Sequence, residues 1–183
     1  MKIEDSIIMY HGQVPDYFCK KCIQYINKLN TKPMSHGLDH LLPDYRQVVG
    51  HTLTQKTFSD KIFFKKISDE ISNFLPTYQL MFPQLKVSKI NQIDLLKYEA
   101  NGNYDYHIDD HETAPRALSA IVNLNEDYEG GDLIFGNQFL NKEIKRIQLK
   151  KGSIVFFPSN FLYPHKIEPI TKGKRYSIVA WLK

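Results

Sequence analysis

After Pro83 the chain changes texture, and this change limits its fold more than any other feature. Short runs rich in Val, Ile, Tyr and Phe follow one another to the C-terminus, separated by turn formers at Asn101-Gly102-Asn103, Glu129-Gly130-Gly131, Lys151-Gly152 and Lys172-Gly173. Strands are expected at roughly 87–98, 104–109, 117–124, 132–136, 144–149, 153–157, 164–168 and 175–182. No helical periodicity separates them, so crossover helices are missing and a parallel sheet is excluded. An antiparallel sandwich or barrel remains.

The first third has the opposite character. From Pro15 to Leu29, Phe18, Cys22, Ile26 and Leu29 recur at three- and four-residue steps, and after Ser59 so do Ile62, Phe63, Ile67, Ile71, Phe74 and Leu75. Two amphipathic helices follow from this. Residues 31–57 hold Pro, Gly, three of the seven histidines and little periodicity, which predicts a loop-rich connection able to border a substrate groove. With 183 residues, 42% of them hydrophobic and 24% charged, the chain fits one domain: helical support over 1–84 and a strand-built core over 85–183.

Composition also removes function classes. The net charge of +4 is spread among acids, and the basic runs are only pairs such as Lys65-Lys66, too little to hold nucleic acid electrostatically. The start Met1-Lys-Ile-Glu-Asp-Ser lacks the form of a secretory signal, and no apolar run approaches a membrane span, so a cytoplasmic, soluble intracellular protein without a membrane partner is expected. Cys19 and Cys22 form Cys-Lys-Lys-Cys within the first helix, where a redox motif would need a strand-to-helix turn and a zinc site two more ligands. Reduced helix-face thiols are expected.

The chemistry lies in the second half, in His107, Asp109, His165 and Arg175. Side chains alternate along a strand, so His107 and Asp109 are expected to share a face while Ile108 points away. In a sandwich the strand carrying His165 can pass directly beside theirs. Two imidazoles and a carboxylate suit a metal that keeps positions open for substrate and oxygen, which is iron chemistry. Arg175 opens the last strand, and Ser177, Val179 and Trp181 share its face. A lone guanidinium in an apolar barrel needs an anion, and a dicarboxylate cosubstrate supplies one. Phe156, Phe157, Ile178 and Trp181 are expected to wall that site against water. The other histidines (His11, His36, His40, His51 and His111) sit in polar contexts and are read as bland, and Glu126, Asp127 and Glu129 as a solvated acidic loop.

From Val87 to Trp181 the chain resembles the iron(II)- and 2-oxoglutarate-dependent dioxygenases, in their prolyl 4-hydroxylase-like branch, which includes small PKHD-type hydroxylases. The resemblance is carried by Leu95–Asp109, Arg116–Asn125, Tyr128–Phe135, Gly152–Pro158 and His165–Tyr176, in order and with matching turn glycines, with a weaker echo over Ile7–Leu29. It implies an α+β chain, mainly β with N-terminal helices, around a double-stranded β-helix core of the jelly-roll, cupin-like kind. It implies iron(II) on His107, Asp109 and His165, and 2-oxoglutarate on Arg175 and Tyr98. Tyr104, Arg116 and Trp181 would lie beside a substrate. O2 would be consumed, ascorbate would serve as reductant, and a C–H bond would be hydroxylated with release of succinate and CO2.

Two positions depart from the branch pattern: Arg175 stands where prolyl 4-hydroxylases usually carry lysine, and Asn123 where many carry tyrosine. The second removes a ring from near the cosubstrate pocket. The expected partner is a peptide or protein, proline-containing in the first instance, with a free amino acid as the smaller alternative. An AlkB-like nucleic-acid demethylase ranks below, because that branch ends in Arg-x-Asn-x-Thr-x-Arg, and only the first arginine recurs in Arg175–Trp181. A non-catalytic β-helix serving as a binding or sensor module would be marked by a lost ligand, and none is lost here.

Overall fold

The short apolar runs form strands, and most of them join one sheet. The computed structural model describes residues 2–34, 44–137 and 142–183. A 3-10 turn at Ile3–Ser6 leads into β1 (Ile8–Tyr10), α1 (Asp16–Lys28), β2 (Lys32–Pro33), β3 (Val49–Thr52), α2 (Phe58–Ser72) and α3 (Leu75–Met81). Then come β4 (Ile90–Tyr98), β5 (Tyr104–His107), β6 (Leu118–Asn123), β7 (Tyr128–Gly130), β8 (Leu133–Asn137) and β9 (Lys142–Ile147). The chain closes with β10 (Ile154–Pro158), β11 (His165–Ile167), β12 (Ile170–Gly173) and β13 (Arg175–Leu182).

Among the described residues the strands form a seven-stranded sheet in the order β1-β10-β6-β13-β4-β3-β2, a four-stranded sheet β5-β11-β8-β9, and the pair β12-β7. Every strand pairing is antiparallel. The two larger sheets face each other as a double-stranded β-helix.

Central strands of the large sheet are covered on both faces, which explains why β6, β10 and β13 read as continuous apolar runs without polar alternation. Ala120, Val122, Phe156 and Ile178 pack beneath the helices against Phe18, Cys22, Ile67, Ile71 and Tyr78. Ile121, Phe157, Val179 and Trp181 point the other way, into the layer shared with Leu133 and Phe135 of β8. A strand buried on both sides has no solvent face to mark with polar residues.

Differences from the sequence expectation have local causes. The second helix breaks into α2 and α3: Pro76 lacks an N–H and its ring would collide with the carbonyl four residues back, so one helix cannot run through Ser72 to Leu80. At the other end of α2, Thr57 accepts from the Asp60 backbone N–H at 3.0 Å, the N-cap that fixes its start. Residues 31–57 are not all loop, since β2 and β3 extend the large sheet beyond β4. His36 and His40 lie outside the described residues. With β1 also in the sheet, the first 84 residues supply strands as well as helical support.

No helix among the described residues is long and apolar enough to cross a membrane. Cys19 and Cys22 are free and fully buried on the inner face of α1. Burial pushes their thiols up to about 11 and about 12, because a thiolate there would lose its hydration. Neither thiol is therefore expected to react with Ellman's reagent at pH 8 in the native protein, and both should react after denaturation. Rapid native labelling of one would show that α1 does not seat as described.

Candidate metal centre

Strand pairing assembles the centre. β11 lies between β5 and β8, with His165 opposite His107 on one side and Phe135 on the other. Two histidines far apart in sequence thus become cross-strand neighbours, their rings 4.3 Å apart. Asp109 does not belong to the strand as expected, because β5 ends at His107. Beyond it the backbone has other partners: the Asp110 N–H donates to the Ser159 carbonyl at 2.9 Å, and Arg116 Nη1 donates to the Asp109 carbonyl at 2.8 Å. The resulting bend still turns the Asp109 carboxylate inward and leaves Ile108 43% exposed.

Asp109 Oδ1 lies 3.6 Å from His107 Nε2, and Oδ2 lies 3.7 Å from His165 Nε2. One donor atom from each residue lies within 4.8 Å of the others, the spacing of ligands gathered around a common ion. Both rings have a fixed tautomer. His107 Nδ1 meets the Asp105 carbonyl at 2.8 Å and His165 Nδ1 meets the Tyr163 carbonyl at 3.0 Å. A carbonyl can only accept, so each Nδ1 carries a proton, and the tautomer of the neutral ring is the one that places its lone pair on Nε2, facing the carboxylate. Burial, reinforced by His165, holds the His107 imidazole well below its ordinary 6.5, so it is neutral at pH 7. For Asp109 burial acts upward, but attraction to the positive charge that His165 and His107 carry when protonated outweighs it and holds the carboxyl below its ordinary value.

These donors fit a divalent metal. Asp109 Oδ2 is buried with no hydrogen-bond partner among the described residues. Two lone pairs and an orphaned carboxylate oxygen that converge from one side leave the opposite side of an ion open. That is the donor set of non-haem iron(II).

A second set of orphaned groups lines the same inner cavity. Arg175 is 1% exposed, and its Nη1 and Nη2 have no partner among the described residues. Among the described residues its hydrogen bond is made by Nε, which donates to Asn123 Oδ1 at 3.1 Å. Asn123 is itself held by donation from Nδ2 to the Asn125 carbonyl (2.6 Å) and the Leu149 carbonyl (3.1 Å). The departure at this position therefore aims the guanidinium. Ser177, to which sequence reasoning gave no role, places a buried hydroxyl without a partner on the same face of β13. Tyr98, paired with Arg175 across β4 and β13, puts its ring 5.1 Å from the guanidinium. Burial raises the Tyr98 phenol, which keeps its proton. A buried fork of two N–H edges beside two hydroxyl-bearing residues fits a carboxylate. The apolar wall differs from expectation: Phe157 and Trp181 face this layer, whereas Phe156 and Ile178 face the helices, since β-strand neighbours alternate.

Outside the cavity the metal donors open on a groove of about 1210 Å³ lined by Tyr104, Arg116 and Trp181, and by Thr52, Asp94 and Arg46 from other elements. The Tyr104 ring stacks on His107 at 3.5 Å and 14°. Arg116 lies 3.8 Å over the Trp181 ring while its Nη1 holds the Asp109 carbonyl, so it braces the metal-site bend as well as facing the groove. His51 and His111 also reach the groove. His51 is tied to buried Asp60 at 3.0 Å, and His111 accepts from the Thr113 backbone N–H.

A double-stranded β-helix with two histidines and one carboxylate at one end defines the facial-triad class of metal oxygenases. The family model of the 2OG-Fe(II) oxygenase superfamily matches residues 93–183, and this part of the chain belongs to that superfamily. Among curated relatives, a PKHD-type hydroxylase of Pseudomonas fluorescens is 33% identical over 94 residues, covering 46% of this chain and 39% of the relative. One from Herminiimonas arsenicoxydans is 35% identical over 97 residues, covering 48% and 41%. The chain thus spans about two fifths of these relatives. Two solved structures share the fold. A Trichoplax adhaerens prolyl hydroxylase in complex with a hypoxia inducible factor peptide fragment has a TM-score of 0.75 and 14% identity, over 97% of this chain and 83% of that one. A Pseudomonas putida prolyl-4-hydroxylase has a TM-score of 0.68 and 17% identity, over 97% and 92%. The prolyl 4-hydroxylase-like resemblance read from the sequence agrees with these findings.

Titrated with Mn(II), a redox-silent stand-in for iron(II), the protein is expected to bind one equivalent. Asp109→Ala should weaken that binding by about two orders of magnitude or more, because it removes the only anion among the three donors. Unchanged affinity by calorimetry would mean that the ion sits elsewhere.

Proposed function

We propose that the chain is an iron(II)- and 2-oxoglutarate-dependent dioxygenase that hydroxylates a C–H bond of a peptidyl residue, proline in the first instance. The observation that carries this reading is one cavity bounded at one end by His107, Asp109 and His165 and at the other by the orphaned edges of Arg175. A buried cation facing a metal site needs an anion with a second metal-binding end, and a 2-oxo dicarboxylate has both.

In this reading His107, Asp109 and His165 hold iron(II), while Arg175, Ser177 and Tyr98 hold the distal carboxylate of 2-oxoglutarate. When bound, iron and cosubstrate supply the oxidising chemistry, with O2 consumed and succinate and CO2 released. The protein supplies orientation and dryness. Asn123 presets the guanidinium, Phe157 and Val179 exclude water from its ion pair, and the two Nδ1–H···O=C bonds keep the imidazoles aimed. Tyr104, Arg116 and Trp181 border the place where the target carbon would lie. Ascorbate would restore over-oxidised iron.

Groove size supports a peptide over a free amino acid. About 1210 Å³ exceeds the roughly 300–1,000 Å³ that suffices for whole drug-sized ligands, whereas an extended segment of several residues would fill it. We assign the whole chain to one dioxygenase unit, in which residues 1–84 support the core at 85–183, and we place it in a reducing cytoplasm, as its two free thiols allow.

With iron(II), ascorbate and 2-oxoglutarate, purified protein should form succinate and CO2, and His107→Ala and Asp109→Ala should be inactive. Ser177→Ala should raise the KM for 2-oxoglutarate about threefold to tenfold with kcat little changed, the loss of one hydrogen bond to a charged group. A proline-containing peptide should gain one oxygen atom, mapped by mass spectrometry. A flat profile across such peptides would sink the prolyl assignment, and failure to bind 2-oxoglutarate would sink the class.

A further inference from the structure

Arg46 has a position that its place in the sequence does not suggest. Residues 45–47 form an extra edge against the start of β5: Asp105 N–H donates to the Tyr45 carbonyl at 2.8 Å, and Gln47 and Asn103 exchange backbone hydrogen bonds at 2.9 and 3.1 Å. Arg46 and Tyr104 are thereby bridge partners, with side chains on one face. The Arg46 guanidinium lies 4.3 Å over one face of the Tyr104 ring, whose stacking partner is the metal donor His107. Arg46 also lines both the inner cavity and the outer groove. Three backbone hydrogen bonds and an aromatic ring thus seat a permanent cation at the junction of cavity and groove, beside the metal donors.

The cavity already has one guanidinium at its far end, and the cosubstrate of the proposed function carries two carboxylates. We propose that Arg46 binds the metal-proximal carboxylate of the 2-oxo acid, so that the cosubstrate is held by a cation at each end, Arg175 on the distal group and Arg46 on the 2-oxo acid group. This inference rests on the proposed 2-oxoglutarate dependence. The Tyr104 ring is the shelf that sets the height of Arg46, and the cavity walls keep the ion pair dry.

The test separates the two ends with two ligands. 2-Oxobutanoate has the 2-oxo acid group and lacks the distal carboxylate. The Mn(II)-loaded wild type, Arg46→Gln and Arg175→Gln are titrated with 2-oxoglutarate and with 2-oxobutanoate by calorimetry, with Arg46→Lys as a charge-retaining control. Arg46→Gln should weaken both ligands by a similar factor of about ten or more. Arg175→Gln should weaken 2-oxoglutarate by at least as much and leave 2-oxobutanoate almost unchanged. Arg46→Lys should fall between wild type and Arg46→Gln, since it keeps the charge and loses the fork. Wild-type affinity for both ligands in Arg46→Gln would overturn the proposal, as would a loss confined to 2-oxoglutarate, which would put Arg46 on the distal end. A wild type that binds neither ligand would overturn the parent reading along with it, an outcome distinct from a failure in the variant alone.

Discussion

The centre depends on the register of β11 between β5 and β8. With His165 opposite His107, two imidazoles whose Nδ1 atoms are bound to local carbonyls point their Nε2 lone pairs at one spot. A slip of one residue would turn the His165 side chain to the other face of the small sheet and replace it with a lysine or a proline. That register is held from outside the site. Leu133 and Phe135 of β8 are buried opposite the large sheet, and any slip would expose one of them or bury Ile134 and Lys166 in the wrong layer.

The same layer contains polar groups that the fold leaves without partners. Asp109 Oδ2, the outer nitrogens of Arg175 and the Ser177 hydroxyl are buried with no hydrogen bond among the described residues. Each such group costs on the order of 1–3 kcal/mol when left unsatisfied. They lie along one cavity, an anion at one end and a cation at the other, so a metal and an acid with two charged ends would satisfy them together. Cavity and ligand are complementary in charge, and ligand binding would also stabilise the fold.

The sequence showed some parts of this clearly and hid others, for physical reasons. Strand β13 was readable from Arg175 to Leu182 because its apolar, aromatic-rich run and its bounding glycine are local. The helix break at Asn73–Phe74 is also local, since Pro76 marks it, yet a continuous apolar periodicity masked it. β3 was hidden because Val49–Thr52 has no alternating pattern and becomes a strand only by pairing with β4. Ser177 was legible only as a residue on the Arg175 face. Its lack of a partner is a property of the packed layer, which no spacing rule reports.

By itself the sequence determined the donor types, the strand-rich second half, the antiparallel architecture and the cation on the last strand, since residue chemistry and period-two alternation are written along the chain. Only the tertiary structure decided that His107 and His165 meet, that Asp109 reaches them from a bend and not from a strand, that Asn123 aims Arg175, and that Arg46 stacks over Tyr104. Each of these depends on which strands become neighbours and in what register. That is fixed by burying both faces of one sheet at once, a condition on the whole chain that no short segment carries.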